Sequence, residues 1–258
     1  EGDSEENGTT VARATLTGNM LTNVQVIFTA NPSKYASLHY GGRMALTSDD
    51  MLLITTGDGF DFREHAQDLN SHLGKTIRIN KDGSPARGNP FPEAAKVWTY
   101  GHRNPQGLAI ALDGTVYLNE HGPKGGDELN IITKANNYGW PAITYGMDYN
   151  GAYVSPLTEY PGMQQPQHIW TPSIGPSGMA FYEGDKFPKW KNSLFVGALV
   201  NKEVRRLTVD NQQVTAEETV FAELDARIRD IRVGPDGLLY IVTDGEQGAV
   251  IRVNPEQD

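Results

Sequence analysis

Apolar and polar positions along this chain alternate in short runs broken by Gly, Asp, Asn and Pro, the pattern of many short strands joined by tight turns. One phrase, a turn followed by an apolar strand, recurs. It reads Asp49-Asp50-Met51-Leu52-Leu53-Ile54-Thr55-Thr56, then Asp113-Gly114-Thr115-Val116-Tyr117-Leu118-Asn119, then Asp236-Gly237-Leu238-Leu239-Tyr240-Ile241-Val242. Asp-Gly supplies the positive φ of a tight hairpin, and the β-branched and aromatic residues suit a half-buried strand. A second phrase, Thr76-Ile77-Arg78-Ile79-Asn80, is echoed by Val250-Ile251-Arg252-Val253-Asn254. The echoes predict an internal repeat of roughly 40 residues, the length of a four-stranded propeller blade. A β-sandwich has similar strand density but no need for the same phrase several times. Insertions separate the copies, above all between about Gly139 and Pro176, and the best short helical candidate covers Ala66 to Leu73.

With 258 residues and 38% hydrophobic content the chain can build a substantial core as one all-β domain. No stretch approaches the roughly 18 apolar residues of a membrane-crossing helix, and the acidic start Glu1-Gly2-Asp3-Ser4-Glu5-Glu6 lacks signal-peptide character. A formal charge of −10 argues against nucleic-acid or acidic-membrane partners. The absence of cysteine excludes disulfides, zinc–thiolate sites and thiol catalysis, and leaves the compartment open.

Four clusters could carry chemistry. His39, in Leu38-His39-Tyr40-Gly41-Gly42-Arg43, sits on a glycine-flanked loop suited to close approach by a ligand, and its side chain suits general-base work; taken alone, a solvated loop histidine is the commoner case. Arg103, Asn104 and Gln106, in Tyr100-Gly101-His102-Arg103-Asn104-Pro105-Gln106-Gly107, form a dense donor set for carboxylates or quinone oxygens, or else a polar surface turn. Asn119-Glu120-His121-Gly122-Pro123-Lys124-Gly125-Gly126-Asp127-Glu128 could offer oxygens to calcium, although it lacks EF-hand spacing and also reads as a flexible polar turn. In Arg227-Ile228-Arg229-Asp230, strand alternation puts both arginines on one face, where they could grip an anion or form surface pairs with Asp225 and Asp230.

Together and in this order the clusters resemble the soluble pyrroloquinoline-quinone (PQQ) aldose dehydrogenases, the glucose/sorbosone dehydrogenase family. The likeness is closest to the periplasmic bacterial aldose sugar dehydrogenases and runs from about Thr9 to Pro255, through Asn137-Tyr138-Gly139-Trp140-Pro141 as well. The resemblance implies a six-bladed β-propeller that binds PQQ and calcium and oxidises the C1 hydroxyl of aldoses to the lactone, with electrons leaving to an external acceptor. It implies His39 as the base, Arg103 as stabiliser of charge on the quinone, Asn104 and Gln106 as further cofactor contacts, and Arg227 and Arg229 as partners of cofactor carboxylates. The carbonyls of Gly122 and Pro123 would hold the calcium, and Asp127 would orient groups near the base or water.

Three departures from the family pattern stand out. Relatives carry a cofactor-contacting lysine after a Gly-Ala-Leu strand end, where Gly197-Ala198-Leu199 here is followed by Val200, with Lys202 nearby. Asp148 matches one ligand of a second, structural calcium site whose later carboxylate is replaced by Gln164. Relatives also have about two blades of chain before the region matching Thr9, so the ring is expected to be incomplete on its N-terminal side. Two other readings stay open: a propeller that has lost its cofactor and serves as a binding scaffold, and a calcium-dependent lactonase.

Overall fold

The computed structural model describes residues 1–255. The chain is all-β, built from antiparallel sheets that follow one another in sequence. A hairpin of β1 (Thr10–Thr17) and β2 (Met20–Thr29) comes first, followed by β3 (Gly41–Leu46), β4 (Leu52–Thr56), β5 (Lys75–Ile79) and β6 (Val97–Tyr100) in one four-stranded sheet. The next holds β7 (Pro105–Ile110), β8 (Val116–Glu120), β9 (Asp127–Ile131) and β10 (His168–Trp170). A third contains β11 (Pro176–Tyr182), β12 (Ser193–Ala198), β13 (Glu203–Asp210) and β14 (Gln213–Val220), and β15 (Ile228–Val233), β16 (Leu239–Thr243) and β17 (Val250–Arg252) make a three-stranded sheet. In each four-stranded sheet, spatial order equals chain order, which is the meander of a propeller blade.

The repeated phrases have a structural meaning. The three copies of the turn–strand phrase become β4, β8 and β16, each the second strand of its sheet, and the two copies of the other phrase become β5 and β17, each a third strand. A second strand is flanked on both edges and packed on both faces, so it reads as a continuous apolar run, as in the fully buried β12. Outer strands read as polar: β14 is exposed along most of its length.

Contacts divide the chain into two compact units. The first comprises Glu1–Pro105 with the returning segments 133–144 and 155–164. Its core joins Val11, Ile27 and Phe28 of the hairpin to Ile54, Ile77, Ile79 and Val97 of the β3–β6 sheet. The second comprises Gln106–Ile132, Tyr145–Val154 and the chain from Gln165 onward. It has two core layers, one under Tyr117, Leu129, Met179, Leu194 and Leu207, the other under Tyr182, Phe195, Ile228, Leu239 and Ile241.

The helix expected over Ala66–Leu73 is replaced by a single 3₁₀ turn, Arg63–Gln67. Lys75, fully buried at the start of β5, explains why. Its ammonium takes the carbonyls of His65, Ala66 and Leu73 at 2.7, 3.1 and 2.6 Å, and the first two are acceptors that a helix there would need for its own amides. Burial pushes that ammonium down to about 7. Among the described residues no helix is long and apolar enough to cross a membrane.

Candidate active site

In the first unit, three of the sequence motifs converge on one buried carboxylate, Asp58. It follows β4 between Gly57 and Gly59, and its side chain is fully buried. One oxygen lies 2.7 Å from Nδ1 of His39 and accepts the Phe60 amide at 2.8 Å; the other accepts the Trp140 indole N–H at 2.7 Å. A carboxylate only accepts, so neutral His39 carries its hydrogen on Nδ1 and its lone pair on Nε2. That is the tautomer a general base requires. The His39 side chain remains about 10% exposed, so the ring is held from behind yet open to a ligand.

The local sequence builds this arrangement. His39 has a φ of 52°, and a side-chain carbon at Gly57 would come within 2.1 Å of the His39 carbonyl, so the loop closes only over glycine. The Asp58 amide donates to the Arg103 carbonyl at 2.8 Å, and the Gly41 amide donates to Oδ1 of Asn104 at 3.3 Å. Arg103 is buried, with its guanidinium 5.2 Å from the centre of the Trp140 ring. The Asn137–Pro141 motif is a frame for Trp140. Gln67 and Asn137 exchange amide hydrogen bonds at 3.0 and 2.7 Å, and Gln67 also donates to the Trp140 carbonyl at 2.7 Å. His102 is wholly buried, 2.9 Å from the Thr99 hydroxyl and stacked on Tyr138; it is a structural histidine.

In the second unit, Gly122, Pro123, Tyr149, Thr171, Ser173 and Val200 line a cavity of about 700 Å³. Asp127, at the start of β9, fixes its wall. One oxygen accepts the Gly122 amide at 3.0 Å, and the other accepts the Ser173 hydroxyl at 2.5 Å and the amides of Ile174 and Gly175 at 2.9 and 3.1 Å. Both oxygens are thus committed to loop geometry, and Asp127 is a positioning residue here. Gly122 is held to glycine by contact, since a side-chain carbon would meet the carbonyls of Gly125 and Gly126 at 2.3 Å.

Among the described residues no three His, Cys, Asp or Glu side chains gather as a metal-binding group. Asp148 stands in a turn closed by its carbonyl accepting the Gly151 amide at 2.9 Å, and no carboxylate cluster forms around it. Gly122 and Pro123 stand in the cavity wall; backbone carbonyls as a class are hard-oxygen donors that suit calcium better than a transition metal. Beside this wall, Glu120 and Glu128 face each other across β8 and β9, and the Asn130 amide donates to both, at 3.4 and 3.1 Å. Burial, reinforced by the Glu120 charge, pushes the Glu128 carboxyl up to about 8.

Arg227 and Arg229 do share a side, as alternation requires: both guanidiniums donate to the same oxygen of Asp244, at 3.2 and 2.9 Å. Both share Asp244, while Asp225 pairs with Lys202 and Asp230 with Arg232. Both side chains stay open to solvent, 48% and 40% exposed. Lys202 is held by Asp225 at 3.0 Å, while Val200 lines the cavity. Gln106 is the second residue of β7.

A fold of successive four-stranded blades with a carboxylate-backed histidine loop defines a class, and comparison with known proteins names it. The glucose/sorbosone dehydrogenase family profile matches residues 1–252, and the chain belongs to that family. It is 44% identical over 267 residues to an uncharacterized protein of Synechocystis sp., covering 98% of this chain and 65% of that protein. It is 39% identical over 263 residues to the aldose sugar dehydrogenase YliI of Escherichia coli, covering 98% of this chain and 71% of the relative. The crystal structure of the apo-form of an E. coli soluble aldose sugar dehydrogenase superposes with a TM-score of 0.93 at 38% identity, over 99% of this chain and 76% of that one. The PQQ-bound form of an aldose sugar dehydrogenase from Streptomyces coelicolor gives a TM-score of 0.75 at 30% identity, over 92% and 68%. The expected all-β propeller class is therefore the class observed.

Proposed function

We propose that this chain carries a PQQ-dependent aldose dehydrogenase activity, oxidising the C1 hydroxyl of an aldose to the lactone. The observation that carries the proposal is the His39–Asp58 pair, an imidazole with its basic nitrogen open and its other nitrogen tied to a buried carboxylate. When bound, the quinone supplies the acceptor for the hydride that leaves C1. His39 Nε2 takes the hydroxyl proton, and Asp58 stabilises the imidazolium that results. Trp140 keeps Asp58 from turning away, and Arg103, braced on the Trp140 ring, offers donors to the charge that develops as hydride departs. Asn104 and Gln106 add neutral donors.

The carbonyls of Gly122 and Pro123 would hold a calcium ion, and Arg227 and Arg229 would meet cofactor carboxylates by exchanging part of their bonding to Asp244. Asp148 would supply one side-chain oxygen to a second calcium. Electrons would pass from the reduced enzyme to an external acceptor, and the setting would be the periplasm or outside the cell, as for the family.

The test is to titrate the purified chain with PQQ in calcium-containing buffer, add aldose and follow the cofactor spectrum. Saturable binding followed by sugar-dependent reduction, lost in His39→Ala, supports the activity and the base together. Binding without reduction means an incomplete site. Val200 favours a second reading, a propeller that keeps its form without the cofactor; no binding at millimolar calcium would establish that one. A lactonase would want several side-chain carboxylates on one metal, a grouping that no described residues form.

A further inference from the structure

A second cavity, of about 410 Å³, opens in the second unit, where the β7–β8 turn, the chain after β11 and the β13–β14 turn come together. Tyr117, Phe181 and Val209 line it, together with three acidic side chains, Asp113, Glu183 and Asp210. No lysine or arginine lines it among the described residues. Tyr117 and Phe181 stack nearly parallel, 5.4 Å between ring centres and 6° between planes, so the cavity has an aromatic wall. Two of the acids are aimed by backbone: the Asp113 carboxylate accepts the Thr115 amide at 2.8 Å, and the Glu183 carboxylate accepts the Leu112 amide at 2.8 Å.

Tyr117 makes this more than a cluster of surface acids. The residue is 2% exposed, yet its hydroxyl has no hydrogen-bond partner among the described residues, and it faces the cavity. The oxygen itself reaches the cavity, where it is open to a bound molecule. Burial, then the charges of Asp113 and Glu183, push this phenol up to about 12, so it stays protonated and can offer its oxygen as an acceptor.

We propose that this cavity binds a small organic ammonium ion. Aromatic faces and fixed carboxylates are the chemistry that recognises such an ion, the rings through their negative faces and the acids through charge-assisted hydrogen bonds. A bare metal ion fits less well, because the acids do not converge as a metal-binding group, and the volume exceeds what one ion needs. The site takes no part in the proposed oxidation: Tyr117 sits near the start of β8, while His121 and Gly122 follow its end.

Putrescine serves as the probe, titrated calorimetrically into the full chain at low salt, with n-butanol and calcium chloride as comparisons. Saturable one-to-one binding of putrescine is expected, weakened about three- to tenfold by Glu183→Gln and by Tyr117→Phe, and without a counterpart for n-butanol. Glu183→Gln keeps an acceptor for the Leu112 amide and Tyr117→Phe keeps the stacked ring, so both variants should retain the wild-type circular dichroism. Asp210→Asn, at an exposed position, gives a third measure with no packing consequence. Absence of saturable putrescine binding, affinity unchanged in all three variants, or a calcium isotherm that abolishes putrescine binding would each overturn the proposal.

Discussion

Asp58 and Asp127 are both fully buried carboxylates, and each follows or opens a strand beside a glycine-rich loop. They differ in what they hold. Asp127 spends its two oxygens on three backbone amides and a serine hydroxyl. Asp58 takes one backbone amide and gives the rest of its capacity to two side chains, His39 and Trp140. A buried carboxylate that serves backbone donors fixes the shape of a loop; one that serves an imidazole fixes a tautomer. The first role should register in stability and the second in rate.

The sharpest test is Asp58→Asn. The amide fills the same space but no longer dictates which histidine nitrogen carries the hydrogen, so sugar-dependent quinone reduction should fall about 10²- to 10⁴-fold. Its urea midpoint should shift far less than its rate; unimpaired turnover would dissolve the distinction drawn here. Asp127→Ala should do the reverse. With four donors left without their acceptor, unfolding free energy should drop by about 3 kcal/mol or more, read from urea denaturation. A variant of unchanged stability but collapsed rate would move Asp127 into the chemistry.

A smaller effect is expected at the cavity wall. Val200→Lys places a cation where Val200 lines the cavity and should tighten PQQ binding about tenfold or more, as one charge-assisted hydrogen bond would; weaker binding would mean that the cofactor does not reach this wall. The mildest is a pH effect from Glu128. Because its folded-state carboxyl is raised to about 8, the native state keeps a proton that the unfolded chain releases in the ordinary carboxylate range. Stability should therefore fall as pH rises from that range to about 8 and level off above it. Glu128→Gln should flatten that slope in urea midpoints measured across the window.

The same two aspartates show what a sequence can disclose. Asp127 drew notice because it stands in a dense polar run, Gly125-Gly126-Asp127-Glu128. Asp58 did not, because Thr55-Thr56-Gly57-Asp58-Gly59 reads as an ordinary turn after a strand. The two glycines were the available signal: Gly57 marks a backbone pressed against something, and that something is the His39 carbonyl. Strand phrases were legible because burial on both faces imposes a continuous apolar run, which is why β4, β8 and β16 stand out. The Arg227–Arg229 pair was legible through alternation, but its partner Asp244 lies across a hairpin whose register is disturbed between Ile228 and Asp230. The Ala66–Leu73 segment fails as a helix because of Lys75, whose burial no local pattern announces.

Trp140 adds an optical consequence. Its indole donates to Asp58 and lies under the Arg103 guanidinium while only 7% exposed, so the fluorophore sits between the carboxylate that backs His39 and a neighbouring cation. Protonation of the imidazole alters the field along that ring, and its emission should shift with the charge state of the pair. The other three tryptophans, Trp98, Trp170 and Trp190, make no hydrogen bond to Asp58 among the described residues. With them replaced by phenylalanine, the protein would report its own ionisation state in light, before any sugar is added.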